Sequence, residues 1–435
     1  MSSKIIRIII FFILAMIILM LPSFFSPKDA PAAVEETMTP AITAIATPVV
    51  TLAPTPTPTA SPSPTPSPTP TPEIPGVNVL EYYRNELPSD LAVNILYDNY
   101  EIHMDYIVAL GYVRIREKPD KDSERLKTIK FGNRVKLLEK VQSDDGESIW
   151  YRVSYTRRGK EIIGFVAESR YTRVRSFAVD KMLSHVKSLH EALDGKDVVY
   201  IANFRNKNGW PQRLPNRAST DEYGYTRQQA TAGYLYPGAG ATFRYIPDGM
   251  LAVRLYEGYA YTKVYIPTFD YTCWVKNRNI SSEEPEIEQL KQVIVVDRTR
   301  QNCGIFQHNG KAWELISLSF VTTGKPGEFS LVTPLGDFMA IERKTKFSYT
   351  ADGTDEIVGY APYVIRFSGG GYVHGVPMSY PNPNNRKIFD LDGREALSSL
   401  GTIPKSHMCV RNYTSHAKFL YKWIDIGSAA IIIIE

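Results

Sequence analysis

The sequence predicts a mainly β chain of several domains, and three observations carry that prediction. At 435 residues the chain is too long for one hydrophobic core, so about two to four domains are expected. Tyrosine occurs 27 times while long helical runs are few, a balance that favours strands. Short apolar segments alternate with turn signals such as Lys118-Pro119-Asp120 and Asp144-Asp145-Gly146. A net charge of +4 is slight for this length. It argues against nucleic acid as a partner and allows only weak attraction to an anionic cell wall.

The amino end has its own composition. Lys4 and Arg7 precede an apolar run over 8–25, broken by Pro22 and Ser23. Roughly 18 apolar residues approach the length of a bilayer-spanning helix, and the positive flank places the amino end in the cytoplasm. Residues 1–26 are therefore expected to be a single-pass anchor in the cell membrane, with the rest of the chain outside. A cleaved signal peptide is the competing reading, but Ala30-Pro31-Ala32 makes a poor cleavage site because proline sits inside it. Residues 27–76 are a Pro/Thr/Ser-rich linker. Thr-Pro and Ser-Pro repeats dominate 51–75, fixing φ and removing backbone donors. An extended stalk follows, with a reach of roughly 70 Å at about 3.1 Å per residue.

Residues 77–105 are expected to be partly helical. Short strands then run over 107–111, 113–116, 134–141, 150–155 and 162–166, enough for a small closed barrel. Val113-Arg114-Ile115-Arg116-Glu117-Lys118-Pro119, Gly132, Trp150-Tyr151-Arg152-Val153 and Gly164-Phe165-Val166 occur in an order that resembles a bacterial SH3-type domain over 107–172. The resemblance implies a module that binds or positions the wall; a ligand-free spacer barrel is the alternative. A second β-rich stretch has strands over 243–246, 251–256 and 271–275. Trp274-Val275, then Asn277 and Ile280, echo the end of the first barrel, so 195–285 is a candidate second SH3-like domain. A polar, acidic stretch over 281–290 is expected to be a short helical link.

From Gln292 the segments lengthen. Val293-Ile294-Val295-Val296-Asp297, Ile305-Phe306 and 315–321 read as strands, followed by Thr322-Thr323-Gly324-Lys325-Pro326 and Thr333-Pro334-Leu335-Gly336-Asp337-Phe338. Tyr372-Val373-His374-Gly375 and Lys405-Ser406-His407-Met408-Cys409-Val410-Arg411-Asn412 complete the series. In this order the pieces resemble the YkuD-type L,D-transpeptidase family over 290–435. A strand, a Thr-Gly-Lys turn, a Thr-Pro-x-Gly-x-Phe stretch, a His-Gly pair and a Ser-x-Gly-Cys-x-Arg/Asn signature characterise that family. The resemblance implies a β-sandwich that the strand over 429–434 helps to close. It also implies acyl transfer on peptidoglycan stem peptides through a cysteine thioester, inhibited by carbapenem-type β-lactams.

Acyl transfer needs a nucleophile, a base and donors for the developing oxyanion. Cys409 is the expected nucleophile, since a nearby imidazole favours its thiolate. The resemblance makes His374 the base, oriented by the carbonyl of Gly375. His407, two residues before Cys409, shares its face on an extended segment and stays open as a base or substrate contact. Ser406 is expected to hold the loop by hydrogen bonds. Arg411 is expected either to meet a substrate carboxylate or to form a structural salt bridge. Two departures stand out. The family's glycine before the nucleophile is Met408 here, where glycine would accept φ > 0. His374 and Cys409 are also 35 residues apart (409 − 374), longer than the family commonly shows. The insert over 377–400 is a candidate lid or substrate wall.

No cofactor is expected. No His/Cys/Asp cluster has metal spacing, and Gly369-Gly370-Gly371 lacks the helix and lysine of a phosphate loop. Of the three cysteines, Cys273 and Cys303 are expected to be packed thiols, with their pairing left open. The resembled reaction is a 3→3 cross-link. An L,D-carboxypeptidase, a non-catalytic wall-binding protein and a cysteine protease are the alternatives.

Overall fold

Strands, whose side chains alternate between two faces every second residue, make up most of the regular structure among the described residues. The computed structural model describes residues 77–143, 145–238, 240–281, 290–380 and 399–435. The expected anchor, the linker, the link over 282–289 and most of the insert before Cys409 (381–398) lie outside the described residues. Among the described residues no helix is long and apolar enough to cross a membrane.

The first strands are β1 (Asn78–Tyr82), β2 (Ala92–Val93), β3 (Asp105–Ala109), β4 (Val113–Arg116), β5 (Arg125–Ile129), β6 (Arg134–Gln142), β7 (Ile149–Arg157), β8 (Lys160–Ala167) and β9 (Thr172–Ser176). All but β2 form one antiparallel sheet, ordered β5-β4-β8-β7-β6-β3-β9 with β1 on β6. Ile107, Ile115, Val135, Leu137, Val153 and Val166 fill its core. The helical expectation for 77–105 is corrected. Val77 and Val79, two residues apart, pack beside Trp150 and Phe165 at strand spacing, and β1 pairs with β6.

A helix that the sequence reading missed follows, α1 (Val179–Leu193). Its buried residues, Val179, Met182, Leu183, Val186, Leu189 and Leu193, make one stripe at 3.6-residue spacing. Gly195 ends it at φ +64°.

The middle region contains β10 (Val198–Tyr200), β11 (Thr231–Tyr234), β12 (Phe243–Ile246), β13 (Leu251–Glu257), β14 (Tyr261–Ile266) and β15 (Tyr271–Lys276). They form an antiparallel sheet ordered β10-β13-β14-β15-β11-β12.

The last region contains β16 (Gln292–Asp297), β17 (Asn302–His308), β18 (Trp313–Thr322), β19 (Gly336–Met339), β20 (Glu342–Thr350), β21 (Ile357–Ser368), β22 (Gly371–His374), β23 (Met378–Ser379), β24 (Val410–Asn412), α2 (Thr414–Trp423) and β25 (Ala429–Ile434). The strand order is β19-β25-β16-β17-β18-β24-β22-β21-β20. β25 lies inside the sheet, parallel to β16 and antiparallel to β19. Its Ala-Ala-Ile-Ile-Ile-Ile run is buried throughout, as a strand covered on both faces must be. β18 is shared: Trp313 to Phe320 pair with β17, whereas Val321 and Thr322 pair with β24. β2 joins this sheet in parallel with β18.

These regions are packed on one another. Tyr245, Met250, Val264 and Cys273 of the middle sheet share a core with Ile294, Cys303, Phe338 and Ile431. All three cysteines are free, so Cys273 and Cys303 do not pair. Arg134 ties the first barrel to the last region, donating to the Leu400 carbonyl (2.8 Å) and the Tyr413 hydroxyl (2.7 Å) while lying 3.9 Å over Phe320. Arg175 donates to the Arg300 carbonyl at 2.6 Å.

The tightest seam is at Gly249. A Cβ there would lie 1.8 Å from the Phe367 carbonyl oxygen, and φ is +82°. Gly249→Ala should therefore cost upwards of about 3 kcal/mol, combining left-handed strain with overpacking. Gly195→Ala, at φ +64° with nothing within 4 Å, should cost only about 1 kcal/mol. Urea denaturation of the two variants checks the difference; equal losses would mean the seam does not constrain the fold.

Candidate active site

Two short parallel strands set the geometry. β22 and β24 pair Val373 with Val410 and His374 with Arg411. Side chains alternate along a strand, so Val373 and Val410 turn into the core, each 1% exposed or less. The opposite face then carries Tyr372 and His374 from one strand and Cys409 and Arg411 from the other. This face floors a cleft of about 950 Å³. The β20–β21 hairpin walls one side with Tyr349 and Asp352, and the middle region walls another with Tyr223 and Gln229.

The loop before Cys409 is held by the motifs upstream. The Thr323 carbonyl accepts the Lys405 and Ser406 amides at 2.9 and 3.0 Å. Thr333 Oγ1 donates to the Met408 carbonyl at 2.7 Å and accepts the Gly324 amide at 2.8 Å. Any Cβ at Gly324 would lie 2.3 Å from the Leu331 carbonyl and 2.7 Å from Met408 Cα, so only glycine fits. Ser406 Oγ donates to the Cys409 carbonyl and accepts the Met408 amide at 3.4 Å. Met408 has φ 157°, a backbone setting that favours glycine.

Cys409 is 9% exposed. Its Sγ lies 3.5 Å from the Gly370 carbonyl, to which the thiol donates, and it accepts the Tyr372 amide. Burial pushes the thiol up to about 11, against the lowering effect of the Tyr372 amide and the Arg411 charge. His374 is buried, and burial takes its imidazole down to about 4; the Gly375 contact opposes this and Arg411 adds to it. His374 Nδ1 meets the Gly375 carbonyl at 2.5 Å. A carbonyl only accepts, so Nδ1 carries the hydrogen and Nε2 keeps a free lone pair. Each group therefore rests neutral, the thiol protonated and the imidazole uncharged, with His374 Nε2 left as an acceptor. Phe347 covers the ring edge-on at 5.6 Å between centroids and stacks on Tyr372 at 4.8 Å.

His407 has a different setting. Its side chain is 55% exposed and its Nε2 meets Asp352 Oδ1 at 2.8 Å, bridging the loop to the hairpin tip across the cleft mouth. Arg411 stands beside His374 in the strand register, and among the described residues it makes no salt bridge. Among the described residues no group of three or more His, Cys, Asp or Glu could hold a metal. The sequence reading missed Tyr372, Phe347 and Gly370. Gly370, dismissed with its neighbours as a phosphate loop, belongs to the β21–β22 turn, which carries its carbonyl to Sγ.

Acid should expose the cost of the buried imidazoles. His374 is held at about 4 and His416 at about 3, both by burial. Both are lowered from 6.5, so below that pH the unfolded chain binds more protons and the folded state loses stability. The loss grows as pH falls from 6.5 and reaches on the order of 3 kcal/mol for each group by pH 4. Denaturation midpoints of the wild type and His416→Gln between pH 7 and 4 check this, and the variant should lose part of the slope. A slope unchanged by the substitution would contradict it.

Residues 291–433 match the family model described as the YkuD L,D-transpeptidase catalytic domain. Residues 111–172 match the bacterial SH3 domain. Solved structures similar to this chain include an L,D-transpeptidase from Mycobacterium smegmatis, 13% identical, covering 66% of this chain and 91% of that one with a TM-score of 0.26. An L,D-transpeptidase from Mycobacterium tuberculosis H37Rv is 14% identical, covering 66% and 90% with a TM-score of 0.25. An LD transpeptidase in complex with imipenem is 15% identical, covering 47% and 81% with a TM-score of 0.26. Comparison with curated proteins gives no match. By the two family models the carboxy-terminal region, 291–433, is a YkuD L,D-transpeptidase catalytic domain, and 111–172 is a bacterial SH3 domain.

Proposed function

We propose that the chain forms 3→3 cross-links in peptidoglycan by cysteine acyl transfer. The observation that supports it most is the shared face of β22 and β24, which sets Cys409, His374 and Arg411 on the floor of one cleft. In the first half-reaction Cys409 Sγ attacks the carbonyl of the third residue of a tetrapeptide stem. The thiol proton passes to His374 Nε2 and on to the departing D-alanine amine as the C–N bond breaks. A thioester remains. In the second half-reaction an amine of a neighbouring stem attacks the thioester, the C–S bond breaks, and the amine's proton returns through His374 to Sγ. Arg411 offers a fixed positive charge for a stem carboxylate. The SH3 domain is proposed to hold the enzyme on the wall, and the six-stranded middle region is proposed as a second, diverged SH3-like domain.

Mass analysis of muropeptides, after the chain from residue 77 is incubated with tetrapeptide-rich sacculi, decides among the outcomes. Cross-linked 3→3 dimers are expected. Tripeptides alone would indicate a carboxypeptidase, in which water resolves the thioester. No change, with no carbapenem adduct on Cys409, would leave a wall-binding protein. Cys409→Ser should abolish both products and the adduct. His374→Ala should slow adduct formation about 10²- to 10⁴-fold, the usual worth of a general base.

We also propose that residues 1–26 anchor the enzyme in the cell membrane and leave the catalytic domain on the wall side. Lys4 and Arg7 ahead of the apolar run support this. The full chain should stay with membranes through high-salt washing, and the chain from residue 77 should not. Release of the full chain by salt would sink the anchor.

A further inference from the structure

Residues 173–290 lie outside both family matches, yet the middle region reaches the nucleophile through one buried carboxylate. Asp248 follows β12 and is 2% exposed. Its Oδ1 accepts the Asn203 amide at 2.7 Å, a bond within the middle region. Its Oδ2 accepts the Gly369 amide at 2.8 Å and Arg366 Nη1 at 2.9 Å, both from the catalytic domain. Arg366, itself 7% exposed, is braced by Glu342 Oε1 at 3.1 Å and lies 4.3 Å over the Phe204 ring of the middle region. The Gly369 bond holds the turn between β21 and β22. The next residue, Gly370, presents the carbonyl that meets Cys409 Sγ.

The rest of the seam makes this clamp rigid. Gly249, beside Asp248, has no room for a Cβ against Phe367, and its carbonyl accepts the Met339 amide at 2.8 Å. Met250 bridges to Phe338. Gln229 of the middle region lies against Gly369, where a Cβ would be 3.3 Å away. Its Oε1 accepts the Arg205 amide at 2.8 Å. A buried carboxylate with an arginine and two amides on its oxygens has one geometry available, because losing any partner strands a charge.

We propose that Asp248 is a positioning residue for the nucleophile: through the Gly369 amide it fixes the turn whose Gly370 carbonyl orients the Cys409 thiol. The middle region is thereby part of the catalytic unit and not a spacer. The proposal rests on Cys409 being the nucleophile.

The test measures carbapenem acylation of Cys409 by mass spectrometry in the chain from residue 77, together with the pH profile of Cys409 alkylation by iodoacetamide. Asp248→Asn keeps shape and one acceptor oxygen but loses the charge that holds Arg366. Acylation should slow about tenfold or more, and the alkylation midpoint should move to lower pH, because the carbonyl that retains the thiol proton is released. Hydrogen exchange should show lost protection at 369–371 with the β16–β25 sheet unchanged. A role confined to folding would leave the alkylation midpoint in place. If Asp248→Asn does not fold, Gly369→Ala decides, since it perturbs the turn at φ +46° without touching the ion pair. The same slowing and midpoint shift are expected. A folded Asp248→Asn, or failing that a folded Gly369→Ala, with wild-type acylation and an unchanged midpoint overturns the positioning role alone. A wild-type chain that is never acylated at Cys409 overturns the nucleophile assignment instead.

Discussion

The parallel pairing of β22 with β24 is the constraint on which the site depends. It is short, four residues against three, and it joins segments that are distant in sequence. A slip of β24 by one residue would send Cys409 into the core and bring Val410 to the cleft, parting Cys409 from His374. The register is protected on both sides. β24 is also paired with the end of β18, through Val321↔Asn412 and Thr322↔Arg411, and β22 with β21. Asn412, fully buried, accepts Ser319 Oγ at 2.8 Å and so locks the same strand from beneath. The long strand β18 thus does two things: it pairs with β17 in the core and delivers the edge on which β24, the strand after Cys409, is built.

Burial then gives the two reacting groups their resting states. Taking a thiol and an imidazole out of water favours the neutral form of each, raising one and lowering the other. Both groups therefore rest without charge at neutral pH, and Arg411 lines the same cleft. The same burial makes Cys273 and Cys303, pushed up to about 12, poor nucleophiles at neutral pH. Of the three thiols, Cys409 is the one that lines the cleft, together with His374.

Much of this was legible in the sequence because it rests on local pattern. Alternating residues in 134–141 and the apolar run over 429–434 announce β6 and β25, and the ordered motifs from Thr322 to Asn412 point to the catalytic loop. The failures have physical causes. The apolar residues of 77–105 fall in clusters without sustained alternation, so the strand spacing at Val77 and Val79 is short and easily misread. The stripe of α1 was present, but Ser184, His185 and Ser188 between its apolar residues dilute it. Asp248 was invisible for a deeper reason. Pro247-Asp248-Gly249 reads as an exposed turn, and only the tertiary seam buries it beside Gly369. A site assembled across domains leaves no motif in either one.

Met408 shows how that assembly bears on chemistry. At φ 157° an L-residue with a long side chain occupies a backbone setting that glycine reaches freely, at a cost on the order of 1–3 kcal/mol. A loop carrying that strain relaxes unless its surroundings over-determine it. Here they do: Gly324 leaves no space on one side, Thr333 holds the Met408 carbonyl, and Ser406 spans to the Cys409 carbonyl. Met408 Cε in turn lies 3.3 Å from the Cβ position of Gly371, next to the turn that Asp248 clamps. The methionine side chain and the Asp248 clamp therefore bear on neighbouring residues of the same turn, Gly371 and Gly369. Bulk that would disturb a free loop is here packed beside the turn whose Gly370 carbonyl meets Cys409 Sγ.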